Sequence, residues 1–541
     1  MKIDGQLIDI HQKRVYPAQI SIEQGRIRDI REVNYAPQRF IMPGLIDAHI
    51  HIESSMLVPS EFARLAVPHG TVATVSDPHE IANVLGVEGV QFMLGNGRQV
   101  PLKFYFGVPS CVPATTFETA GAEIGPAWVD QLLAKPEIHY LSEMMNYPGV
   151  LHEDSAVMAK LASAKKYGKP IDGHAPGLRG DEARRYAAAG ISTDHEAFTL
   201  EEGREKCRLG MKIIIREGSA AKNYAALHPL IAEFPEQIMF CSDDKHPDDL
   251  IQGHINQLVA RALSDGYDLF HVLRAATLHP VEHYGLDVGL LRVDDPADFI
   301  VVDALDTMTV QATYINGREV AREGKALFPS VAVEAINQFV ASAKKESDFR
   351  TPAHSREVRV MVARDGELIT GETTASLPER KGLLLADPQQ DVLKIAVVNR
   401  YEEALPAVAF VQGFGLRQGA IASCVGHDSH NIIAVGADDA SLCRAVNEVI
   451  RNRGGISAVE ANGDARSLAL PIAGLMTPAD GYETAQAYSG LDQMAREQLG
   501  STLSAPFMTL SFMSLLVIPD LKLSDRGLFS GKDFSFTEVY L

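Results

Sequence analysis

No two of the five cysteines, Cys111, Cys207, Cys241, Cys424 and Cys443, form a CxxC pair, and their number is odd. A disulfide framework and a cysteine zinc knuckle are therefore not expected, and a reducing compartment is. Runs of 18 or more apolar residues are also missing, so no membrane-spanning helix and no membrane partner are expected. The opening Met1-Lys2-Ile3-Asp4-Gly5 lacks the basic stretch and apolar core of a signal peptide, which makes the cytoplasm the expected location. Basic side chains are outnumbered 50 to 70 by acidic ones, a formal charge of −20. That balance repels a polyphosphate backbone, and no nucleic-acid partner is expected. Internal repeats and low-complexity tracts are absent.

What is present is the composition of a folded protein, 46% hydrophobic and 22% charged over 541 residues. A chain of that length is expected to divide into two or three folding units. Residues 2 to 32 read as short strands around a turn at Glu23-Gln24-Gly25, with apolar and polar residues alternating through Ile20-Ser21-Ile22 and Ile27-Arg28-Asp29-Ile30. From residue 41 the pattern changes to short apolar runs separated by stretches long enough for a helix. These runs lie at Gly44–Ala48, Thr71–Val75, Leu102–Val108, Ile138–Leu141, Pro170–Asp172, Ile191–Thr193, Met211–Ile215 and Gln237–Phe240. Eight βα repeats predict an α/β fold, a (β/α)₈ TIM-like barrel, over residues 43–290. Strand-like segments at Ala297–Asp303 and Thr313–Gly317 return to the N-terminal pattern. Residues 1–42 and 291–335 are thus expected to form one composite small β domain. A charged stretch at 333 to 346 reads as helical, and 345–541 is long enough for a C-terminal α+β domain.

Polar side chains follow almost every predicted barrel strand: His49 and His51, Asp77 and His79, Ser110, Glu143, His174, His195, Arg216 with Glu217, and Asp243 with Asp244. In such a barrel the carboxyl ends of all strands converge on one mouth, so these residues are predicted to share a site. His49-Ile50-His51 places two imidazoles on one side of an extended backbone, because strand side chains alternate with period two. Alone, His-x-His more often has another role. Joined by His174, His195 and Asp243 at later strand ends, it becomes a set suited to Zn, Mn or Fe, against the bland reading of solvated loop residues.

Glu143 is expected at the same mouth, where it could bridge two ions. No lysine lies between Ile138 and Val150, so a carbamylated lysine cannot take that place. Two divalent cations can lower the pKa of a shared water toward neutrality, which defines hydrolysis without a serine or cysteine nucleophile. His79, in Asp77-Pro78-His79-Glu80, is surplus to the ligand set and could instead steady the reacting centre. Helix capping by Asp77 with a nearby exposed histidine is its bland alternative.

Pro43-Gly44-Leu45-Ile46-Asp47-Ala48-His49-Ile50-His51 and Ala275-Ala276-Thr277-Leu278-His279-Pro280 resemble the amidohydrolase superfamily. Four further motifs resemble its adenine deaminase family: His49–Met56, Asp77–Glu80, Glu143–Val150 and Arg216–Ala221. The likeness continues through Gly426-His427-Asp428-Ser429-His430-Asn431 and Leu470–Met476, so it spans nearly the whole chain. The chain departs from the family pattern in starting close to its first strand and in carrying Asp294-Asp295-Pro296 where many superfamily members have a glycine turn.

The resemblance implies hydrolysis of free adenine to hypoxanthine and ammonia at a centre of two divalent ions, manganese, iron or zinc. It puts His49, His51, Glu143, His174, His195 and Asp243 in the ligand positions and Asp243, Glu143 and His79 in catalytic ones. Arg216, Glu217, Ser219, His427 and His430 are the candidates for substrate contact, and a homo-oligomer, a dimer, is expected. The zinc pattern of nucleic-acid cytidine deaminases, H-x-E followed by P-C-x-x-C, is absent. Two rival readings share the motifs in part. One is another amidohydrolase acting on a cyclic amide or imidazolone, or a deacetylase; the other is a non-catalytic scaffold on the same barrel, disfavoured by retention of all six candidate ligands.

Overall fold

The computed structural model describes residues 1–541. Its barrel strands are Leu45–Ile50, Thr71–Ser76, Lys103–Val108, Ile138–Met144, Ile171–Gly173, Thr193–Asp194, Lys212–Arg216 and Ile238–Cys241, close to the runs predicted from hydrophobicity. The first five form one parallel sheet and the last three another. Backbone bonds close both gaps: Ser192 N–H donates to Ile171 O at 2.9 Å, Asp243 N–H to His49 O at 3.0 Å, and His51 N–H to Asp243 O at 3.2 Å. Strands five and six approach so tightly that a Cβ on Gly173 would lie 2.4 Å from the Thr193 carbonyl oxygen. Glycine is what lets the chain run straight from there into His174. The strands are short and apolar on both faces, as expected where helices cover the outside and side chains fill the inside.

Beside the barrel an eight-stranded sheet joins chain segments far apart in sequence. Its strand Phe40–Pro43 runs parallel to Lys2–Asp9 and antiparallel to Phe299–Val302, with Ile41 between Leu7 and Val301. Side chains of Lys2–Asp9 and Arg14–Glu23 alternate between buried and exposed, which is the period-two pattern of a sheet with one covered face. At the Asp294-Asp295-Pro296 turn, Asp294 itself takes φ 70°. Aspartate tolerates the left-handed region through local polar contacts, and Arg28 holds its carboxylate at 2.9 Å. A turn that elsewhere calls for glycine is thus made without one.

The C-terminal part holds a second eight-stranded sheet, mostly antiparallel, with Leu393–Val398 and Ile432–Gly436 near its centre. Alternation along these strands serves two partners. Ala396, Val398, Ile432 and Ala434 pack with Leu442, Val446 and Val449 of the helix Asp439–Asn452. Ile395, Val397, Ile433 and Val435 belong instead to the large core that includes barrel residues such as Ile50, Val75 and Met144. The sheet therefore packs against the barrel through one face and carries its own helix on the other. That placement brings the loop Gly426–Asn431 over the barrel mouth.

One expectation fails. The stretch at 333 to 346 is not helical but irregular, and only Glu346–Phe349 forms a short 3-10 turn. Its buried anchors, Phe339 and Ala341, are two residues apart, a strand spacing rather than a helical one. Backbone groups that a helix would pair internally are instead satisfied across the surface: Val340 N–H donates to Arg400 O at 2.7 Å, and Ile336 O accepts from Ala473 N–H at 2.7 Å. The segment is a strap bound to the C-terminal part.

Candidate active site

The strand ends bring the predicted ligands together in one buried cluster. His49 and His51 leave the first strand on the same side, and their Nε2 atoms stand 3.2 Å apart. Asp243 Oδ1, from the end of the eighth strand, lies 3.5 Å from His49 Nε2 and 3.2 Å from His51 Nε2. Glu143, at the end of the fourth strand, divides its two oxygens between neighbours. Oε1 is 3.3 Å from His51 Nε2, while Oε2 is 2.7 Å from His174 Nδ1 and 3.1 Å from His195 Nε2. The rings of His49 and His195 are stacked with centroids 4.0 Å apart. All six side chains are buried.

This donor set fits divalent metal. The ligand atoms of His49, His195 and Asp243 lie within 4.8 Å of one another, and so do those of Glu143, His174 and His195. His51 Nδ1 lies 3.2 Å from the Asp77 carbonyl oxygen, to which its N–H can donate, leaving Nε2 as the free base that a cation requires. The electrostatics agree. Burial by itself would raise the Glu143 and Asp243 carboxyls, yet both are held well below the usual carboxylate range, Glu143 by His174 and the other histidines, Asp243 by Arg216 and then His49 and His51. Burial likewise opposes a charge on His195, but the Glu143 carboxylate pushes it up to about 9. Mixed nitrogen and oxygen donors of this kind suit Zn, Mn or Fe.

Around the cluster sit groups that the sequence reading had not assigned. Glu196, next to His195, approaches His174 Nδ1 at 3.7 Å and pairs with the buried Arg216 guanidinium. Arg216 Nη1 also lies 2.5 Å from Asp243 Oδ2. His79 Nδ1 is 3.1 Å from Asp77 Oδ2 and 3.5 Å from Glu143 Oε1, so the imidazole borders the cluster as expected. Glu80, Asp244 and Asp428 complete the walls, and Leu368, Phe512 and Leu515 form an apolar roof from the C-terminal part. Adjacency alone could have flagged Glu196 and Glu80, each following a predicted site histidine. No local signal marks Leu368 or Leu515.

The five candidates for substrate contact separate. Arg216 and His427 line the cavity. His430 stands behind His427 with Nε2 against Glu80 Oε2. Glu217 and Ser219 are turned away: Glu217 pairs with Arg261 at 3.2 Å, and Ser219 Oγ donates to Asp249 Oδ2 at 2.5 Å. Arg216 ends the strand Lys212–Arg216, and Glu217 and Ser219 lie in the loop after it, where partners outside the cavity hold them. Neither lines this cavity.

The family described as "Amidohydrolase family" matches residues 40–320, and "Adenine deaminase C-terminal domain" matches residues 367–535. The chain belongs to the amidohydrolase family, whose members bind divalent metal at this kind of centre. Full-length relatives narrow the placement. Adenine deaminase of Salinibacter ruber is 58% identical over 540 residues, covering 100% of this chain and 99% of the relative. Those of Sulfurovum sp. and Methanosarcina acetivorans are 58% and 52% identical, each covering 99% of both chains. Within the amidohydrolases, this chain is a member of the adenine deaminase family.

Proposed function

We propose that the chain hydrolyses free adenine to hypoxanthine and ammonia. The full-length adenine deaminase relatives, 58% and 52% identical, carry the choice of substrate, and the division of Glu143, one oxygen toward His51 and the other toward His174 and His195, supports a hydrolytic centre for divalent ions, manganese, iron or zinc. When bound, such ions act as Lewis acids and lower the pKa of water toward neutrality. His49, His51, Glu143, His174, His195 and Asp243 would hold these ions.

The chain's own groups then move protons. Asp243 Oδ1, beside both first-strand histidines, accepts the proton released when water adds at C6. Glu143 or Asp243 returns that proton to N1, which breaks the ring conjugation, and the remaining proton of the new C6 hydroxyl passes to the amino group, which leaves as ammonia while the C6 carbonyl forms. His79, fixed by Asp77, steadies charge developing on the tetrahedral centre. Arg216 holds Asp243 in place through the oxygen that the histidines do not face.

Cavity size supports a mobile roof. The space beside the cluster is about 30 Å³, room for water but not for a bicyclic base. A neighbouring cavity of about 500 Å³ shares Glu196, Arg216 and Leu368 with it and is lined by Tyr147, Phe198 and Ile518. Displacement of Leu368 would join the two and admit a purine.

Residues 1–42 with 291–335, 43–290 and 345–541 serve as the three folding units. No helix is long and apolar enough to cross a membrane, and all five cysteines are free and buried, in keeping with a reducing cytoplasm. Exposed Phe534 and Phe536 beside Phe529 favour a homodimer, which sedimentation would test. The activity itself is tested by ammonia release from adenine, guanine, cytosine and adenosine, with metal content measured on the same sample. Release from adenine alone is expected; release only from a cyclic amide or imidazolone would replace the reading.

A further inference from the structure

We propose that Glu80 and His427 form a positioning dyad through which the C-terminal roof reads the far edge of the purine. The inference rests on the adenine reading above and deepens it. His427 is constrained on three sides. Its backbone N–H donates to Ser511 O at 3.1 Å, and its carbonyl accepts from Ser514 Oγ at 3.1 Å. Its ring lies nearly parallel to Phe512, centroids 5.0 Å apart at 16°. Its Nδ1 meets Glu80 Oε1 at 2.5 Å. Nε2 has no partner within hydrogen-bond reach: the residue lines the catalytic cavity, and the carboxylate oxygen that Nε2 meets there, Asp244 Oδ1, is 4.0 Å away.

Glu80 meets a histidine at each of its oxygens. It sits in the first turn of the barrel helix His79–Leu85, is buried, and presents its second oxygen to His430 Nε2. A carboxylate behind an imidazole selects the tautomer and the ring plane of that imidazole, a role that such groups play wherever a histidine must aim one nitrogen. The barrel thus sets the orientation of a side chain that belongs to the other part of the molecule. With C6 and N1 of adenine committed to the histidine and carboxylate cluster at the strand ends, a group on the roof meets one of the remaining ring nitrogens, N3, N7 or N9. Glu80 is a positioning residue; His427 touches substrate.

The test couples enzyme variants to substrate variants on the metal-loaded protein. Adenine is compared with 3-deaza-, 7-deaza- and 9-deazaadenine, each lacking one ring nitrogen. Wild type should lose about 10- to 100-fold in kcat/KM, or in inhibitor affinity, on one of the three, the scale of a charge-assisted hydrogen bond left unmade. In His427→Asn, whose amide reaches the place of Nδ1 but not of Nε2, that selective penalty should vanish. In His427→Gln, which reaches the place of Nε2, part of it should return. Glu80→Gln should reduce the penalty with metal content unchanged, and Glu80→Asp should restore some of it.

A clamp that merely docks the two parts would lower stability without altering the ranking of the analogues. If the analogue penalties are the same in wild type, His427→Gln and Glu80→Gln, the proposal is overturned. Should the asparagine variant not fold, these two variants carry the test. Failure of the adenine reading shows separately, as metal-loaded wild type that releases no ammonia from adenine.

Discussion

Arg216 and Asp243 share one short contact, Nη1 to Oδ2 at 2.5 Å, on the carboxylate oxygen that His49 and His51 do not approach. The geometry fixes Asp243 from behind while leaving Oδ1 for chemistry. The same guanidinium also neutralises Glu196, so one buried cation compensates two buried carboxylates. Removing one partner of a buried pair typically costs about 3–5 kcal/mol, because the charge left behind cannot be solvated. Arg216→Met should therefore lower the unfolding free energy by that order, read as a lower midpoint in chemical denaturation. An unchanged midpoint would mean that Glu196 and Asp243 find another counter-charge.

For Asp243 itself the expectation is kinetic. Asp243→Asn keeps shape and one oxygen but removes charge and basicity, and kcat should fall by about 10²–10⁴-fold, the usual share of a positioned proton-transfer group. Metal analysis on the folded variant separates lost proton transfer from lost metal. Near-normal turnover with full metal would take Asp243 out of the proton path.

His79 lies beside the cluster, with Nδ1 committed to Asp77. His79→Asn should leave metal content nearly intact and reduce kcat strongly. Loss of metal from the purified variant would instead make His79 a ligand.

Lys522 offers a test of the roof by pH. Burial pushes its ammonium down from 10.5 to about 7, while Nζ donates to the carbonyls of Leu368 at 2.8 Å and Phe512 at 2.9 Å. Between those two values the unfolded chain binds the proton that the folded one has given up. Stability contributed at this position therefore rises with pH from about 7 toward 10.5, and is least below 7. Subtracting the pH profile of Lys522→Met from that of wild type should leave this rise. A flat difference would show that the ammonium stays charged in the fold.

Much of this was legible in the sequence because period and position carry it. The eight apolar runs from Gly44 to Phe240 mark strands, and the polar residues after them mark the mouth, so His49, His51, Glu143, His174, His195 and Asp243 could be gathered before any coordinates. Glu217 and Ser219 could not be excluded, since the motif they share with Arg216 says nothing of which side each faces. The roof was less visible still. Leu368 and Leu515 are ordinary apolar residues whose proximity to the cavity depends on how one sheet docks against the barrel, a tertiary fact with no local periodicity. The strap at 333 to 346 misled for a related reason: its alanines and charges favour a helix, but contacts with Arg400 and Ala473 outweigh propensity.

The composite sheet has a consequence for how the chain is made. Phe40–Pro43 is flanked by Lys2–Asp9 on one side and Phe299–Val302 on the other, so one of its neighbours is synthesised early and the other late. At about 5–20 residues per second, the roughly 250 residues between them represent tens of seconds on the ribosome. During that interval the backbone groups of Phe40–Pro43 that will pair with Phe299–Val302 stand as an open edge, the kind of surface that recruits foreign strands. The nascent chain is thus most exposed to misassembly while its barrel is being completed, and synthesis of a short strand beyond the barrel ends that exposure.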